Sequence, residues 1–306
     1  MRGQGYDNDA NMKGKRFVPC VCHSLNLFFN NAASASGEVA SVFLIIQQIY
    51  VFFSSFPSRW DILKQHVKIT LKPVCSTRWQ SRISAIIPLR FQLEHIYDAL
   101  VNIHLDENRD NQTKHEAQSL AKKVSRFKFI CSLIVWYNIL SKINIVSKIM
   151  QSLNLNLLNC NNALKEVLVF LNKYFQDETF VIVVDEAKKI AKILMIDSKF
   201  PDVSTIRIRK KKGHFDYESN DLPIIGSQQN YKVNFFFYIL DTAINSIDER
   251  FEQLELHVEK FQVLYNIYKL KSENKTNILK NCMDLHLLLA DTDNRDIDGL
   301  ELVKKL

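Results

Sequence analysis

At 306 residues the chain is long enough for one large or two ordinary domains with a sizeable hydrophobic core. Its 47% hydrophobic and 24% charged residues are typical of globular proteins and argue against disorder along the whole length. Only seven glycines and six prolines argue against a turn-rich β-sandwich or barrel and favour a mainly α fold. The net charge of +7, if spread over this length, permits contact with nucleic acid without requiring it.

Cysteine usage and the first residues indicate an intracellular protein. The six cysteines, at positions 20, 22, 75, 131, 160 and 282, lie mostly in apolar helical patterns, as reduced buried thiols do. Positions 1–15 are polar and lack the apolar segment of a signal peptide. The most membrane-like stretch, Val42–Phe53, is about half the roughly 20 residues that a spanning helix needs. Because Gln47 and Gln48 also interrupt it, we expect a buried helix there.

The first third of the chain is predicted to hold one strand followed by helices. Glycine and the Asp7-Asn8-Asp9 cluster predict a turn near the start, because these residues tolerate left-handed backbone. Gly37 and the stretch from Phe56 to Trp60 predict breaks between helices. Apolar spacing places a strand at Val18–Val21 and helices at Leu25–Ala33, Val39–Phe53, Asp61–Thr70 and Arg78–Ile103.

The middle of the chain gives the clearest helical signal. Asp106–His115 is predicted to be a polar connection, and Ala117–Leu153 a long helix with one interruption. One wide apolar stripe of that helix contains Phe129, Leu133, Trp136, Leu140, Ile143 and Met150. Two further helices are predicted at Asn162–Phe175 and Phe180–Met195. The run Val181–Val184 is β-branched and could form a strand, but the pattern on either side is helical.

The last third is predicted to hold a long irregular segment and then a long helix. Residues 197–229 lack periodicity, and a loop of this length is usually functional or disordered. From about Val233 to Phe261 apolar residues alternate by three and four, which favours a core helix of a bundle over an oligomeric coiled coil. The predicted core consists of Phe43, Ile46, Ile86, Leu133, Trp136, Leu140, Leu168, Leu240, Ile247, Phe251 and Leu254.

Three clusters could carry chemistry, and each has a structural alternative. Cys20, Cys22 and His23 offer zinc ligands, but a tetrahedral site needs about four, so structural thiols with a hydrogen-bonded histidine are favoured. Asp7 and Asp9 could bind a hard cation, or they are ordinary turn residues. The basic run Arg207, Arg209, Lys210, Lys211 and Lys212 could touch phosphate, act as a nuclear-import signal, or be a solvated charge run.

Eight short motifs follow one another in an order that is more informative than any one of them. They are Gly3–Asp7 with Asn11–Gly14, Cys20–His23 with Leu25–Leu27, Ser58–Trp60, Ser76–Arg82, Phe127–Ile130 with Trp136, Arg207–Lys212 with Phe215–Tyr217, Tyr231–Phe235 with Asp241 and Arg250, and Asp296–Gly299 with Glu301. In sequence and order they resemble the signatures of the hAT-type transposase superfamily. They are most similar to its domesticated branch of zinc finger MYM-type protein 1 and relatives.

The resemblance implies an RNase H-like catalytic core interrupted by a large all-helical insertion. In active members three acidic residues hold two Mg²⁺ or Mn²⁺ ions, which stabilise the entering and leaving oxygens of phosphoryl transfer. Asp7 matches the second acidic residue, and Cys20 and His23 belong to a family motif. The implied domains are a core remnant at 1–35, the insertion at 36–232 with a basic loop at 197–229, and a helix returning to the core at 233–306.

The resemblance also implies DNA contacts on the insertion. Tryptophan can stack on a base and arginine can pair with phosphate, whereas Trp79 could equally be a buried aromatic residue at a helix start. The implied nucleic-acid-binding residues are Arg59, Trp60, Arg78, Trp79, Arg82, Arg207, Arg209, Lys210, Lys211 and Lys212.

Departures from the family pattern predict an inactive protein. The strand with the first acidic residue is expected before Met1, and the C-terminal dimerisation segment after Leu306. Pro19 stands where the family has histidine, and Lys305 where it has the second glutamate of its "ELxxEL" motif. One carboxylate cannot hold two metal ions, so we expect a truncated or decayed copy without transposase activity.

Two functional hypotheses therefore remain, with a third behind them. The first is a catalytically inactive, transposase-derived nuclear protein, with the cytoplasm as the alternative location, that binds DNA or proteins and needs no cofactor. The second is a helical scaffold without a nucleic-acid role. The third is a residual nuclease that depends on Mg²⁺ or Mn²⁺. None of them involves a membrane or a small-molecule substrate.

Overall fold

The computed structural model shows a mainly α-helical protein, as the composition predicted. The structure describes residues 5–6, 18–19, 37–75, 79–150, 157–200, 226–261, 264, 274–289 and 298–305. The chain divides into two compact units, one formed by residues 1–25, 145–169 and 246–306 and the other by residues 26–144 and 170–245. The predicted division at 35 and 232 stays a prediction.

The elements follow one another in chain order with short breaks. They are β1 (Gly5–Tyr6), β2 (Val18–Pro19), α1 (Gly37–Ser54), α2 (Pro57–His66), α3 (Trp79–Leu105), α4 (Asn111–Val124), α5 (Phe127–Met150), α6 (Leu157–Tyr174), α7 (Asp177–Ile193), α8 (Ser227–Tyr231), a π-helical segment (Lys232–Phe237), α9 (Tyr238–Lys260), α10 (Lys275–Leu289) and α11 (Gly299–Lys305). β1 and β2 pair in parallel, with Gly5 opposite Val18. Of the strand predicted at 18–21, the first two residues, Val18 and Pro19, form β2.

Helix α1 is buried along one side, although Leu44 and Val51 are exposed, and its two glutamines serve the packing. The Gln47 Oε1 atom accepts a hydrogen bond of 2.7 Å from the Val74 N–H, and the Gln48 Oε1 atom accepts one of 2.9 Å from Lys123 Nζ. Phe43 and Ile46 are almost fully buried. The polar interruption in the apolar run therefore fastens two other segments to α1.

One described helix, α5, is long and apolar enough to cross a membrane, and 67% of that stretch is buried inside the protein. Helices α1 and α2 pass the same criterion only as a pair, and the chain bends by 112° between them. A core helix has these properties as well, and the buried apolar stripe of α5 is that of a core helix. Its members at 129, 133, 136, 140, 143 and 150 are all buried.

Helix α4 begins inside the stretch that was predicted to be a polar connection. The Asp110 carboxylate accepts a hydrogen bond of 2.8 Å from the Thr113 N–H and caps the helix that starts at Asn111. This satisfies one of the free N–H groups that every helix start has. The prediction for Asp106–His115 was wrong from position 111 onward, because the first turn of α4 is polar and carries no apolar signal.

Helix α3 changes direction near Pro88. Proline has no N–H for the helical ladder, and Gln92 departs from helical geometry with φ −140° and ψ 30°. The Gln92 side chain accepts hydrogen bonds from the N–H groups of Lys68 and Ile69 and donates one to the Ile69 carbonyl. The bend thus holds the connection that follows α2.

Helix α7 includes the β-branched run Val181–Val184, so the helical interpretation of that run is confirmed. The helix ends at Ile193 and not at Met195. Met195 adopts a left-handed conformation with φ 53°, and the Ile196 N–H donates to the Ala191 carbonyl, which closes the helix end. Glycine or asparagine usually occupies such a position.

The last long helix starts earlier than predicted, at Ser227, and contains the π-helical segment. Three aromatic residues of this region, Tyr231, Phe235 and Phe236, are buried together. A π turn repeats after about five residues, so it lets positions 231 and 236 face the same side. The apolar stripe of α9 is buried at Leu240, Ile247, Phe251, Leu254 and Val258, as a core helix requires.

Helices α10 and α11 pack around a small core. Buried Cys282 and Leu285 contact partly buried apolar residues of both helices and of the chain before them. A Cβ atom at Gly299 would lie 2.8 Å from the Cys282 carbonyl oxygen, so only glycine permits this approach. Burial raises the pKa of the Cys282 thiol. Of the eleven predicted core residues of the chain, ten are buried, and Leu168 is partly exposed.

Candidate nucleic-acid interface

Arg59 is the best-anchored of the predicted nucleic-acid-binding residues. It lies in the first turn of α2 and is only 8% exposed. Its guanidinium donates hydrogen bonds to the Phe52 carbonyl at 3.3 Å and to Thr113 Oγ1 at 2.7 Å. The same group lies 4.5 Å from the ring centre of Phe52 and 4.3 Å from that of Phe56. Arg59 thus joins α1, α2 and α4 from inside.

Arg82 also lies against α1. It is 7% exposed, and its guanidinium is 4.8 Å from the ring centre of Phe43. Burial lowers the pKa of Arg82, and the nearby Cys75 opposes this effect. The structure therefore brings both motif arginines to aromatic residues of one helix. It does not bring their charged groups to a common surface.

The two tryptophans of these motifs are placed differently. Trp60 is partly buried, and its ring lies edge-on to Tyr50 with 6.1 Å between the ring centres. Trp79 is the first residue of α3. The side chain of Trp79 lies outside the described part of the structure, as does Arg78. Base stacking by these residues stays a prediction.

Several sequence predictions fall on positions that the structure does not describe. They concern Asp7, Cys20, His23, Arg207, Arg209, Lys210, Lys211 and Lys212. Within the described ranges, no three histidine, cysteine, aspartate or glutamate side chains are grouped so that they could hold a metal ion. The basic run can be located only by its ends, since it lies between Phe200 and Gly226 in the chain.

Phe200 lies in one aromatic cluster with Tyr231, which follows Gly226 by five positions. The rings of Phe200 and Tyr231 are 5.1 Å apart, and Phe200 also contacts Phe127 at 5.1 Å. Tyr231 stacks on Phe235 at 4.8 Å, and its hydroxyl is 2.9 Å from that of Ser132. Aromatic pairs at such distances stabilise beyond the area they bury. Phe200, the last described residue before the basic run, is therefore packed against aromatic residues of α5 and α8.

Another feature of the charge pattern was missed in the sequence. No aspartate or glutamate occurs between Glu116 and Glu166, whereas seven lysines and arginines do. The remainder of the chain carries 33 side chains of each sign, so this stretch accounts for the whole formal charge of +7. The positive charge is therefore concentrated in this stretch and is not spread over the whole length of the chain. A simple count of sign along the chain would have revealed it.

A second stretch without aspartate or glutamate lies between Asp61 and Glu94, and several of its positive residues are paired or buried. Lys64 pairs with Asp61, and Arg90 pairs with Glu186 on α7. Arg82 of the same stretch is buried. Of the five described positive residues there, Lys64, Lys68 and Lys72 are exposed.

The largest exposed concentration of positive charge in the first stretch lies where α4 meets α5. We call Lys122, Lys123 and Arg126 the α4–α5 corner. Lys122 and Arg126 are exposed, and Lys123 is partly exposed with its Nζ atom on the neutral amide of Gln48. None of the three forms an ion pair with a described carboxylate. Their charges are therefore available to an external anion.

Comparison with known protein families and solved structures gave no match. No protein-family model matches the chain, and no solved structure matches it either.

Proposed function

We propose that this chain is a catalytically inactive, hAT transposase-derived protein that binds nucleic acid through its helical region. The ordered motifs from Gly3 to Glu301 support this proposal, together with the mainly helical architecture that the family insertion leads one to expect. The finer description, a helical insertion beside an RNase H-like remnant similar to zinc finger MYM-type protein 1, is part of the same proposal. A nuclear location follows from it.

The observation that carries the inactive part of the proposal is on α11. Lys305, which stands where the family has a glutamate, places its Nζ atom 2.7 Å from the Glu301 carboxylate. Both side chains are exposed, so this is a surface ion pair that contributes little to stability. A lysine in place of a carboxylate supplies no ligand to a divalent metal ion, so two-metal catalysis is disfavoured.

A gel shift tests the proposal directly. The purified chain is mixed with duplex and with single-stranded DNA across a salt series, with and without Mg²⁺. Binding that weakens steeply with salt, while the DNA stays uncut, is the expected result. Cleavage in Mg²⁺ or Mn²⁺ that disappears in Asp7→Ala would contradict it and revive the residual nuclease.

The alternative is a helical scaffold without a nucleic-acid role. The burial of Arg59 and Arg82 favours it, because these arginines serve the packing of α1 in the structure. Absence of binding at low salt, in protein that is folded by circular dichroism, would favour this alternative over the DNA-binding proposal.

A further inference from the structure

We infer that the α4–α5 corner contacts the sugar-phosphate backbone of a nucleic acid. This inference rests on the proposed function, which it deepens by naming a surface on the described helices. It is distinct from the motif residues, because none of the motifs includes Lys122, Lys123 or Arg126.

None of the three charges is neutralised by a described carboxylate, and only that of Lys123 is held in place. The Gln48 amide accepts a 2.9 Å hydrogen bond from Lys123 and carries no charge, so it fixes the position of the cation without compensating it. Lys122 and Arg126 are exposed. Some other described lysines do have a nearby acid, as Lys188 has Asp185 and Lys232 has Asp177.

The fold explains part of this arrangement but not all of it. Lys122 and Lys123 lie in the last turn of α4, where the helix dipole favours cations by about 0.3–1 kcal/mol. Arg126 lies between the two helices, because its N–H donates to the Lys123 carbonyl at the end of α4 and its carbonyl accepts from the Phe129 and Ile130 N–H groups at the start of α5. A cation is favourable at the first of these helix ends and unfavourable at the second. The two helix dipoles therefore give no net reason for a cation at Arg126.

The surroundings of the corner favour a phosphate backbone over an acidic protein. The apolar neighbours Ala121, Val124 and Phe127 are all buried. Protein interfaces usually have an apolar or aromatic core surrounded by polar groups. A sugar-phosphate backbone needs only exposed cations and releases its counterions when they bind. Residues 121–127 offer exposed charge and no exposed apolar side chain, which fits the second kind of partner, and the exposed apolar residues Leu44 and Val51 lie one turn from Gln48 on α1.

Fluorescence anisotropy with a labelled DNA duplex tests this inference in the full-length chain. The variant is Lys122→Ala with Arg126→Ala, which keeps Lys123 because of its contact with Gln48. The matched control is Lys275→Ala with Lys280→Ala, which removes two exposed lysines of α10 and changes the net charge equally. Each lost phosphate contact should lower the slope of log Kd against log salt by about 0.9. We expect a decrease of about two for the corner variant and little change for the control.

The outcomes separate this inference from the proposed function. If the wild-type chain binds and both variants keep its affinity and slope, the corner assignment is wrong and the proposed function stands. If both variants lose affinity equally, the effect is one of net charge, which also overturns the assignment. If the wild-type chain does not bind at low salt, both proposals fail. A polyglutamate peptide that displaces the duplex and shows the same corner dependence at lower concentration would identify an acidic protein partner instead.

Discussion

The two motif arginines and the α4–α5 corner present positive charge in opposite ways. Arg59 and Arg82 are buried against aromatic rings of α1, and Arg59 donates one hydrogen bond to the Phe52 carbonyl and one to the Thr113 hydroxyl. Lys122 and Arg126 are exposed and have no carboxylate partner among the described residues. The first pair supports packing, whereas the second leaves its charge to the solvent.

This difference shows why a motif alone cannot assign a role to an arginine. A guanidinium that is buried and hydrogen-bonded stabilises the fold and would lose those contacts if it turned to a phosphate. An exposed cation contributes little to stability and can bind an anion at little structural cost. We therefore expect substitutions at Arg59 to change stability, and substitutions at the corner to change binding.

The largest expected effect is the loss of stability in Arg59→Ala. The variant removes a charge-assisted hydrogen bond to Thr113 and two cation–π contacts, so the free energy of unfolding should fall by about 3 kcal/mol. Urea denaturation followed by circular dichroism measures it. The matched control is Arg126→Ala, which should change the free energy by less than about 0.5 kcal/mol. Equal effects in both variants would remove the contrast between buried and exposed cations.

A smaller effect is expected from Thr113→Val, which keeps the shape of a buried side chain. Valine cannot accept the 2.7 Å hydrogen bond from Arg59, so a buried guanidinium N–H loses its partner. The free energy of unfolding should fall by about 1.5 kcal/mol. Thr113→Ser, which retains the hydroxyl, should lose less. The double variant with Arg59→Ala should lose less free energy of unfolding than the two single variants lose together, because both single changes break the same contact. Full additivity would show that the contact does not couple α2 to α4.

The capping carboxylate of α4 gives a pH dependence with a defined sign. The hydroxyl and the N–H of Thr113 hydrogen bond to Asp110 and hold the pKa of that carboxyl below its ordinary value. The N–H of Asn108 and the side chain of Arg109 lower the pKa of Asp106 in the same way. A lowered folded-state pKa stabilises the protein above the unfolded value of about 4, and this contribution is lost as the pH falls through the folded value.

The urea midpoint of the wild-type chain should therefore decrease as the pH is lowered below about 4. Asp110→Asn keeps a capping side chain but cannot titrate, so its midpoint should fall less steeply over the same range. Asp98→Asn on α3 is the matched control, because Asp98 is an exposed aspartate that lies twelve positions before the cap. If Asp110→Asn and the wild-type chain depend on pH identically, the cap does not contribute.

The smallest expected effect on stability belongs to the corner. Lys122→Ala with Arg126→Ala should leave the free energy of unfolding within about 0.5 kcal/mol of the wild-type value, because exposed cations contribute little. The same protein samples should serve for binding and for urea denaturation. A large loss of stability would mean that the corner cations are structural, like Arg59.

The helices could be predicted where one face is continuously apolar. The stripe from Phe129 to Met150 is buried along its length, and α1 and α3 lie within a few residues of their predicted bounds. Burial of one helix face leaves a periodic record in the sequence. The start of α4 was missed because its first turn is polar, although Asp110 three positions before Thr113 resembles a helix cap. The end of α7 was misplaced because Met195 gives no left-handed signal.

The roles of single charged residues could not be predicted in the same way. Arg59 finds Thr113 54 positions along the chain, and no local pattern encodes that contact. The sequence motif therefore suggested an accessible arginine where the structure has a buried one. The corner was visible in principle, because the absence of acids between positions 117 and 165 can be counted. Its exposure, however, depends on how α4 and α5 meet.

The most direct test of the account is the salt dependence of DNA binding by the wild-type chain. Anisotropy with one labelled duplex, measured from about 50 to about 200 mM salt, gives the number of phosphate contacts from the slope of log Kd against log salt. If the three corner cations contact phosphates, the slope should be about 2.7 or more, and the duplex should remain intact in Mg²⁺. A slope near zero, or no binding at the lowest salt, would contradict the account and leave a helical scaffold.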